Sequence, residues 1–299
     1  MKSIIIIFLA IAFDFYGQTP KSVKKHIKQA TEIVKTKSLY SDSLNWQKIE
    51  NEIKLKSQGL ETVDQCTVIT NYLITELRKV GDNHSFILKS EKASKMASEN
   101  NDGIKEPTGK YLNNNLGYVS VPGIMSVNKS LCVEFANKIQ NIIHSMDTLN
   151  VNGWIVDLRE NRGGNMYPMI AGLGPLVGEG ILGYFIGKNE TYKSAWAYDK
   201  GQVGNLRIET PYTIINKNIK IAVLIGEKTS SSGEMTTISF IGKNNTKLFG
   251  QPSGGYTTAN QGFKLSDGSY IYLATSYTAD RNSKKYLSKI IPDIIVQND

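Results

Sequence analysis

From about residue 21 to residue 80, apolar positions return at helical spacing. Ile27, Ala30, Ile33 and Val34 form one run, and Val68, Ile69, Tyr72, Leu73 and Leu77 another. Between them, Ser43-Leu44-Asn45-Trp46-Gln47 reads as a capped helix start. The pattern predicts an N-terminal helical domain over residues 18–89, whose last helix stops at the turn signal Gly81-Asp82-Asn83. Residues 90–115 are polar, carry Asn100-Asn101-Asp102-Gly103 and Asn113-Asn114-Asn115, and read as a loop or linker. Beyond them strands and helices alternate. Strands are predicted at 117–122, 154–158, 221–225, 247–250, 270–275 and 294–296, and helices at 131–146, 166–177 and 233–241. Aromatic alternation over 180–215 suggests a hairpin. Short apolar runs such as Trp154-Ile155-Val156-Asp157-Leu158 alternate little, as strands buried on both faces do. The segment 116–299 is therefore expected to be an α/β domain with a largely parallel sheet.

One apolar run stands outside this pattern. Lys2 precedes an unbroken stretch over residues 4–13, and small or polar residues follow near Gly17-Gln18. This is the layout of a secretory signal peptide over residues 1–17, too short to span a bilayer; the alternative is a buried N-terminal strand. No cysteine stands near the exit to carry a lipid. The mature chain is thus expected outside the cytoplasm, periplasmic or extracellular, with no integral membrane segment after signal removal. The net charge of +8 fits anionic partners, but the basic residues are dispersed. Their densest cluster, Lys21, Lys24, Lys25, His26 and Lys28, reads as a solvated helix face, so no nucleic-acid partner is expected. Cys66 and Cys132 are the only cysteines; an oxidising compartment permits a disulfide, and two buried thiols fit equally well. No Cys/His spacing suggests zinc, and neither metal nor cofactor is expected.

Three segments could carry chemistry. In the first, the apolar strand 221–225 gives way to Gly226-Glu227-Lys228-Thr229-Ser230-Ser231-Ser232-Gly233-Glu234 and then a helix. A serine there has unpaired N–H groups beside it, which suit a nucleophile that generates an oxyanion. A plain helix cap closed by Glu234 fits the same residues. The second is Asp157-Leu158-Arg159-Glu160-Asn161-Arg162-Gly163-Gly164-Asn165, where a Gly-Gly pair can turn N–H groups toward one point or simply form a tight turn. In the third, Gly81-Asp82-Asn83-His84-Ser85, a histidine sits in a turn. Of His26, His84 and His144 it is the best-placed base for a serine at 231.

Taken in order, these segments resemble the tail-specific peptidase family, which includes C-terminal processing peptidases, the tricorn core protease and retinoid-binding repeats. The resemblance rests on Gly-Asp-x-His-Ser at 81–85, Asp-Leu-Arg-x-Asn-x-Gly-Gly at 157–164 and Thr-x-Ser-x-x-Glu at 229–234. Gly250-Gln251-Pro252-Ser253-Gly254-Gly255, Leu265-Ser266-Asp267-Gly268-Ser269 and Ile291-Pro292-Asp293-Ile294 extend it. It implies a ClpP/crotonase-like α/β spiral core and a nucleophile at Ser231. Where the C-terminal processing branch has its catalytic lysine after a glycine, this chain has Tyr256, so the resemblance favours the tricorn-like Ser–His branch with His84 as base. About 30 residues separate His84 from Gly117, too few for a PDZ domain.

The resemblance implies acyl transfer to water from a polypeptide substrate. His84 would take the proton of Ser231, and the oxyanion would be held by the N–H of Ser232 and that of Gly163 or Gly164. Asp280 and Ser85 are candidates for orienting the imidazole, Asp82 for shaping its turn and Arg159 for bracing the second loop. A rival reading is a non-catalytic module for an apolar ligand or peptide on the same fold, and another is an esterase.

Overall fold

The computed structural model describes residues 19–98, 100 and 103–297. The expected signal peptide at 1–17 lies outside them. Three helices open the chain: α1 (Lys21–Lys37), α2 (Trp46–Lys56) and α3 (Thr67–Lys79). Strand β1 (Phe86–Leu88), helix α4 (Ser90–Ala97), strands β2 (Thr108–Leu112) and β3 (Leu116–Ser120) and helix α5 (Lys129–Asp147) follow. Next come β4 (Gly153–Asp157), α6 (Met166–Gly172), α7 (Gly174–Val177), β5 (Gly180–Gly187), β6 (Lys193–Tyr198), β7 (Gln202–Val203) and β8 (Leu206–Arg207). The last third holds β9 (Lys220–Ile225), α8 (Ser232–Ile238), β10 (Thr246–Gly250), β11 (Ala259–Lys264), β12 (Tyr270–Asp280), β13 (Lys285–Tyr286) and β14 (Ile294–Ile295).

These strands form two main sheets. One has the order β14-β10-β9-β4-β3-β2 and is parallel from β14 to β3, with β2 antiparallel at its edge. The other is antiparallel, in the order β1-β12-β5-β6, with β11 and β13 also on β12. The larger core lies between the parallel sheet and the helices α5, α6 and α8, around Val156, Ile139, Ile170 and Phe240. This is the α/β core with an N-terminal helical region that the sequence predicts.

The helices α1–α3 do not close a core by themselves. Val23, Ile69 and Leu73 pack with Leu265, Ile271 and Leu273 of the antiparallel sheet, so the helical region is seated on β11 and β12. Two further differences from the sequence reading have local causes. The stretch read as a linker contains α4 and β2. Neither has a buried stripe to announce it: α4 buries no residue, and β2 is an exposed edge strand turned back on β3 through Asn114 and Asn115 at positive φ. The helix expected over 166–177 is split, because Pro175 cannot donate to the turn before it, and α7 restarts with that proline near its N-terminus.

Candidate active site

Ligands of open α/β sheets sit beyond the carboxyl ends of parallel strands, where the connecting loops gather. Here four loops leave such ends: 121–128 after β3, 158–165 after β4, 226–231 after β9 and 251–258 after β10. They interlock through their backbones. Ser230 N–H donates to Asn161 O at 3.0 Å, Gly254 N–H to Thr229 O at 2.8 Å, and Asn165 N–H to Ile124 O at 2.8 Å. Buried Thr229 adds a side-chain tie, its hydroxyl donating to Leu158 O at 2.8 Å.

Ser231 stands at the tip of this assembly with φ 53° and ψ −121°. A β-carbon makes that conformation cost about 1–3 kcal/mol, so it persists only where the surroundings impose it. The imposing group is Glu234. Its fully buried carboxylate accepts the Ser231 N–H at 2.8 Å and the Tyr256 N–H at 2.8 Å on one oxygen. The other oxygen accepts the Gly255 N–H at 2.8 Å and the Ser253 hydroxyl at 2.5 Å. Burial pushes the carboxyl group above its usual range, against the pull of these donors. Glu234 does more than cap α8: it fastens the strained serine to the 251–258 loop.

His84 reaches the serine from the other sheet. Helix α3 ends in a Schellman arrangement, Asp82 N–H bonding Leu77 O and Gly81 N–H bonding Arg78 O, both at 3.1 Å. The buried Asp82 carboxylate then accepts His84 N–H at 3.0 Å and Ser85 N–H at 2.9 Å, which fixes the turn into β1. In that position His84 Nε2 lies 2.9 Å from Ser231 Oγ, and Nδ1 lies 2.9 Å from Thr258 Oγ1. Asn260 Nδ2 donates to His84 O at 2.8 Å, and Tyr256 meets the ring edge-on with centroids 5.5 Å apart. Burial pushes the imidazole down to about 4, opposed by nearby Asp82 and by a hydrogen bond that the ring donates to the Thr258 backbone. It is therefore neutral at physiological pH and able to accept a proton.

The Gly-Gly loop lies against the serine. Gly163 and Gly164 have φ of 94° and 114°, and a β-carbon on Gly163 would stand 2.9 Å from Ser231 Cβ. One on Gly164 would stand 2.2 Å from Ile124 O, so both positions exclude side chains. Gly163 N–H is taken up by Asn161 Oδ1 at 3.0 Å. Among the described residues the Gly164 and Ser232 N–H groups have no partner, and Ser232 Oγ donates to Gly164 O at 2.6 Å. A cavity of about 650 Å³ opens over the pair, with walls that include Phe86, Leu88, Met96, Met125, Val127 and Phe185. Helix α4 closes one side of it, Val127 N–H bonding Met96 O at 3.0 Å.

The structure thus brings Ser231, His84, Ser232 and Gly164 to one point. Gly163 shapes the loop, but its N–H is committed to Asn161. Ser85 and Asp280 do not reach the imidazole. The Ser85 hydroxyl donates to Asp82 and accepts Ala274 N–H at 2.9 Å, pinning the turn to β12. Asp280 accepts the Tyr286 hydroxyl at 2.9 Å and the N–H groups of Asn282 and Lys284 at the far end of β12. Arg159 grips Asp157 with Nε and Nη2, bracing the loop base. Thr258 and Asn260 leave no local signature in the sequence because each acts through a tertiary contact; Asn161 is legible as a position of the 157–164 motif, but its bond to Val121 O is tertiary. Cys66 and Cys132 are separate, buried free thiols. Among the described residues no cluster of His, Cys, Asp or Glu is arranged to hold a metal, and no helix is long and apolar enough to cross a membrane.

Residues 115–296 match the family model described as Peptidase family S41. A protein of Lactococcus lactis subsp. lactis named nisin-resistance protein is 32% identical to this chain, over 98% of this chain and 89% of that protein. The solved structure of a lipoprotein from Streptococcus agalactiae superposes with a TM-score of 0.80 at 29% identity, covering 94% of both chains. A photosystem II D1 C-terminal processing protease shares the fold, with a TM-score of 0.61 at 13% identity over 93% of this chain and 94% of that one.

Proposed function

The chain belongs to peptidase family S41, and from that premise we propose that it is an exported serine peptidase that forms an acyl-enzyme on Ser231. The carrying observation is the 2.9 Å contact between Ser231 Oγ and the neutral His84 Nε2, with Thr258 behind Nδ1. As Ser231 Oγ attacks the peptide carbonyl carbon, His84 Nε2 takes its proton. The unpaired N–H groups of Ser232 and Gly164 receive the developing oxyanion, each contributing on the order of 3 kcal/mol. His84 passes the proton to the leaving amine as the C–N bond breaks. Water, losing a proton to His84, then attacks the acyl carbon and Ser231 recovers its hydrogen.

Export rests on the signal layout of residues 1–17 and agrees with relatives called a lipoprotein and a nisin-resistance protein. In the same proposal residues 18–89 form the helical region and 116–299 the peptidase core. The substrate is a peptide short or extended enough to thread a cavity of about 650 Å³. The name of the Lactococcus relative makes nisin one peptide to include in a test. Incubating the protein with a defined peptide mixture and sequencing new termini by mass spectrometry tests the reading. New termini from the wild type, absent with Ser231→Ala and strongly reduced with His84→Ala, are expected. Binding of peptides or apolar ligands without cleavage would favour the binding module, and turnover of ester substrates alone would favour the esterase.

A further inference from the structure

The charges on the cavity wall are of one sign. His84 is neutral, and the only charged side chains lining the cavity among the described residues are Lys129 and Arg162; no Asp or Glu joins them. Neither cation makes an ion pair or a side-chain hydrogen bond among those residues. Glu160 feels the charge of Arg162 and of Lys105, but its carboxylate is held by Lys228 at 2.8 and 3.1 Å.

Both cations stand on the wall that carries the oxyanion donors. Arg162 directly precedes Gly163 and Gly164. Lys129 begins α5 immediately after the 121–128 loop, which is stitched to the Gly-Gly loop by Asn165 N–H to Ile124 O and by Asn165 Nδ2 to Ser126 O at 3.0 Å. Their mounts are therefore fixed relative to Ser231. The aromatic rings of Phe86, Tyr256 and Tyr272 line the same cavity. Lys129 and Arg162 are exposed; charges of one sign lining a cleft add their fields inside it, screened by salt, and a guanidinium offers a carboxylate two parallel donors.

We propose that Lys129 and Arg162 make the cleft selective for peptides that carry a carboxylate close to the scissile bond, and against peptides that carry a cation there. This rests on the peptidase reading of the same site. Two sources supply the chemistry, an Asp or Glu side chain or the carboxyl terminus of the peptide itself.

The test uses internally quenched peptides that share one cleavable core. A single residue is stepped along both sides of the scissile bond as Glu, Gln or Lys, and each peptide is made with a free and an amidated C-terminus. Cleavage by the wild type and binding to Ser231→Ala, followed by fluorescence anisotropy, are both measured. At one or more positions the Glu peptide is expected to exceed the Lys peptide about tenfold in kcat/KM and in affinity, the ratio shrinking as salt is raised. In Arg162→Gln/Lys129→Gln the ratio falls to within about twofold. A preference confined to the free-acid series identifies the terminus as the source; one kept in the amidated series identifies a side chain. Cleavage that is equal for Glu, Gln and Lys peptides overturns the proposal, as does a preference that survives the double substitution. Charge-selective binding to Ser231→Ala with no cleavage by the wild type refutes the peptidase reading and leaves the selectivity standing.

Discussion

Replacing Thr258 with valine preserves the side-chain shape and removes the hydroxyl that meets His84 Nδ1 at 2.9 Å. For Nε2 to accept the Ser231 proton, a neutral imidazole must carry its own hydrogen on Nδ1, and Thr258 Oγ1 is the acceptor facing it. In Thr258→Val that donor loses its side-chain acceptor and keeps only the backbone contact with residue 258, which costs about 1–3 kcal/mol in a buried site. The ring escapes the cost by moving its hydrogen to Nε2 or by rotating, and either change removes the base from Ser231. The same energy then appears as a loss of rate of about 10- to 100-fold. The Asp82 turn and the edge contact with Tyr256 are untouched, so the melting temperature should change little. The assay is the second-order rate of inactivation by a fluorophosphonate, with thermal unfolding followed in parallel. Thr258→Ser should restore most of the rate, because it restores the acceptor. A Thr258→Val protein that reacts within about twofold of the wild type would refute the orienting role.

Glu234→Gln replaces one of two accepting oxygens with a donor, so at least two of the four groups aimed at Glu234 lose their partner. A loss of about 2–4 kcal/mol follows, seen as a melting temperature about 5–10 °C lower, together with slower fluorophosphonate labelling; an unchanged protein would contradict the fastening role. Because burial pushes His84 down to about 4, it stays unprotonated well below its ordinary 6.5. The acid limb of the labelling rate should accordingly centre near 4, and a midpoint near 6.5 would show the imidazole to be solvated. The linked stability has the corresponding sign: the unfolded chain takes up this proton at 6.5 and the folded chain only at about 4, so about 3 kcal/mol present above 6.5 is lost as pH falls between them. Asp280→Asn weakens the contact to Tyr286 and should lower the melting temperature while leaving the labelling rate unchanged, since no bond runs from Asp280 to the imidazole.

The parts of the site that could be read in the sequence are those whose chemistry is local. A serine between an apolar strand and a helix, a Gly-Gly pair after a strand and a histidine in a helix-ending turn each leave a short signature. Thr258 leaves none: it sits 174 positions from His84 and arrives only because β11 is laid along β12 beside the 251–258 loop. Glu234 was visible as a capping residue, but its bonds to Ser253, Gly255 and Tyr256 depend on β10 delivering that loop to the serine. Asn161 looked like one residue of a turn; its side chain in fact joins Val121 O, at 3.0 Å, to Gly163 N–H, linking two strands' loops. At the level of fold, alternation exposed the buried parallel strands, whereas α4 and β2 are held by a contact to Val127 and by pairing with β3 rather than by patterns of their own.

The central claim is that Ser231 is a nucleophile activated by His84. It is tested most directly by treating the intact protein with a fluorophosphonate and locating the adduct by peptide mass spectrometry. The account predicts a single adduct on Ser231, absent in Ser231→Ala and formed at least about 100-fold more slowly in His84→Ala. An adduct on Ser230 or Ser232, no adduct at all, or an undiminished rate in His84→Ala would contradict it.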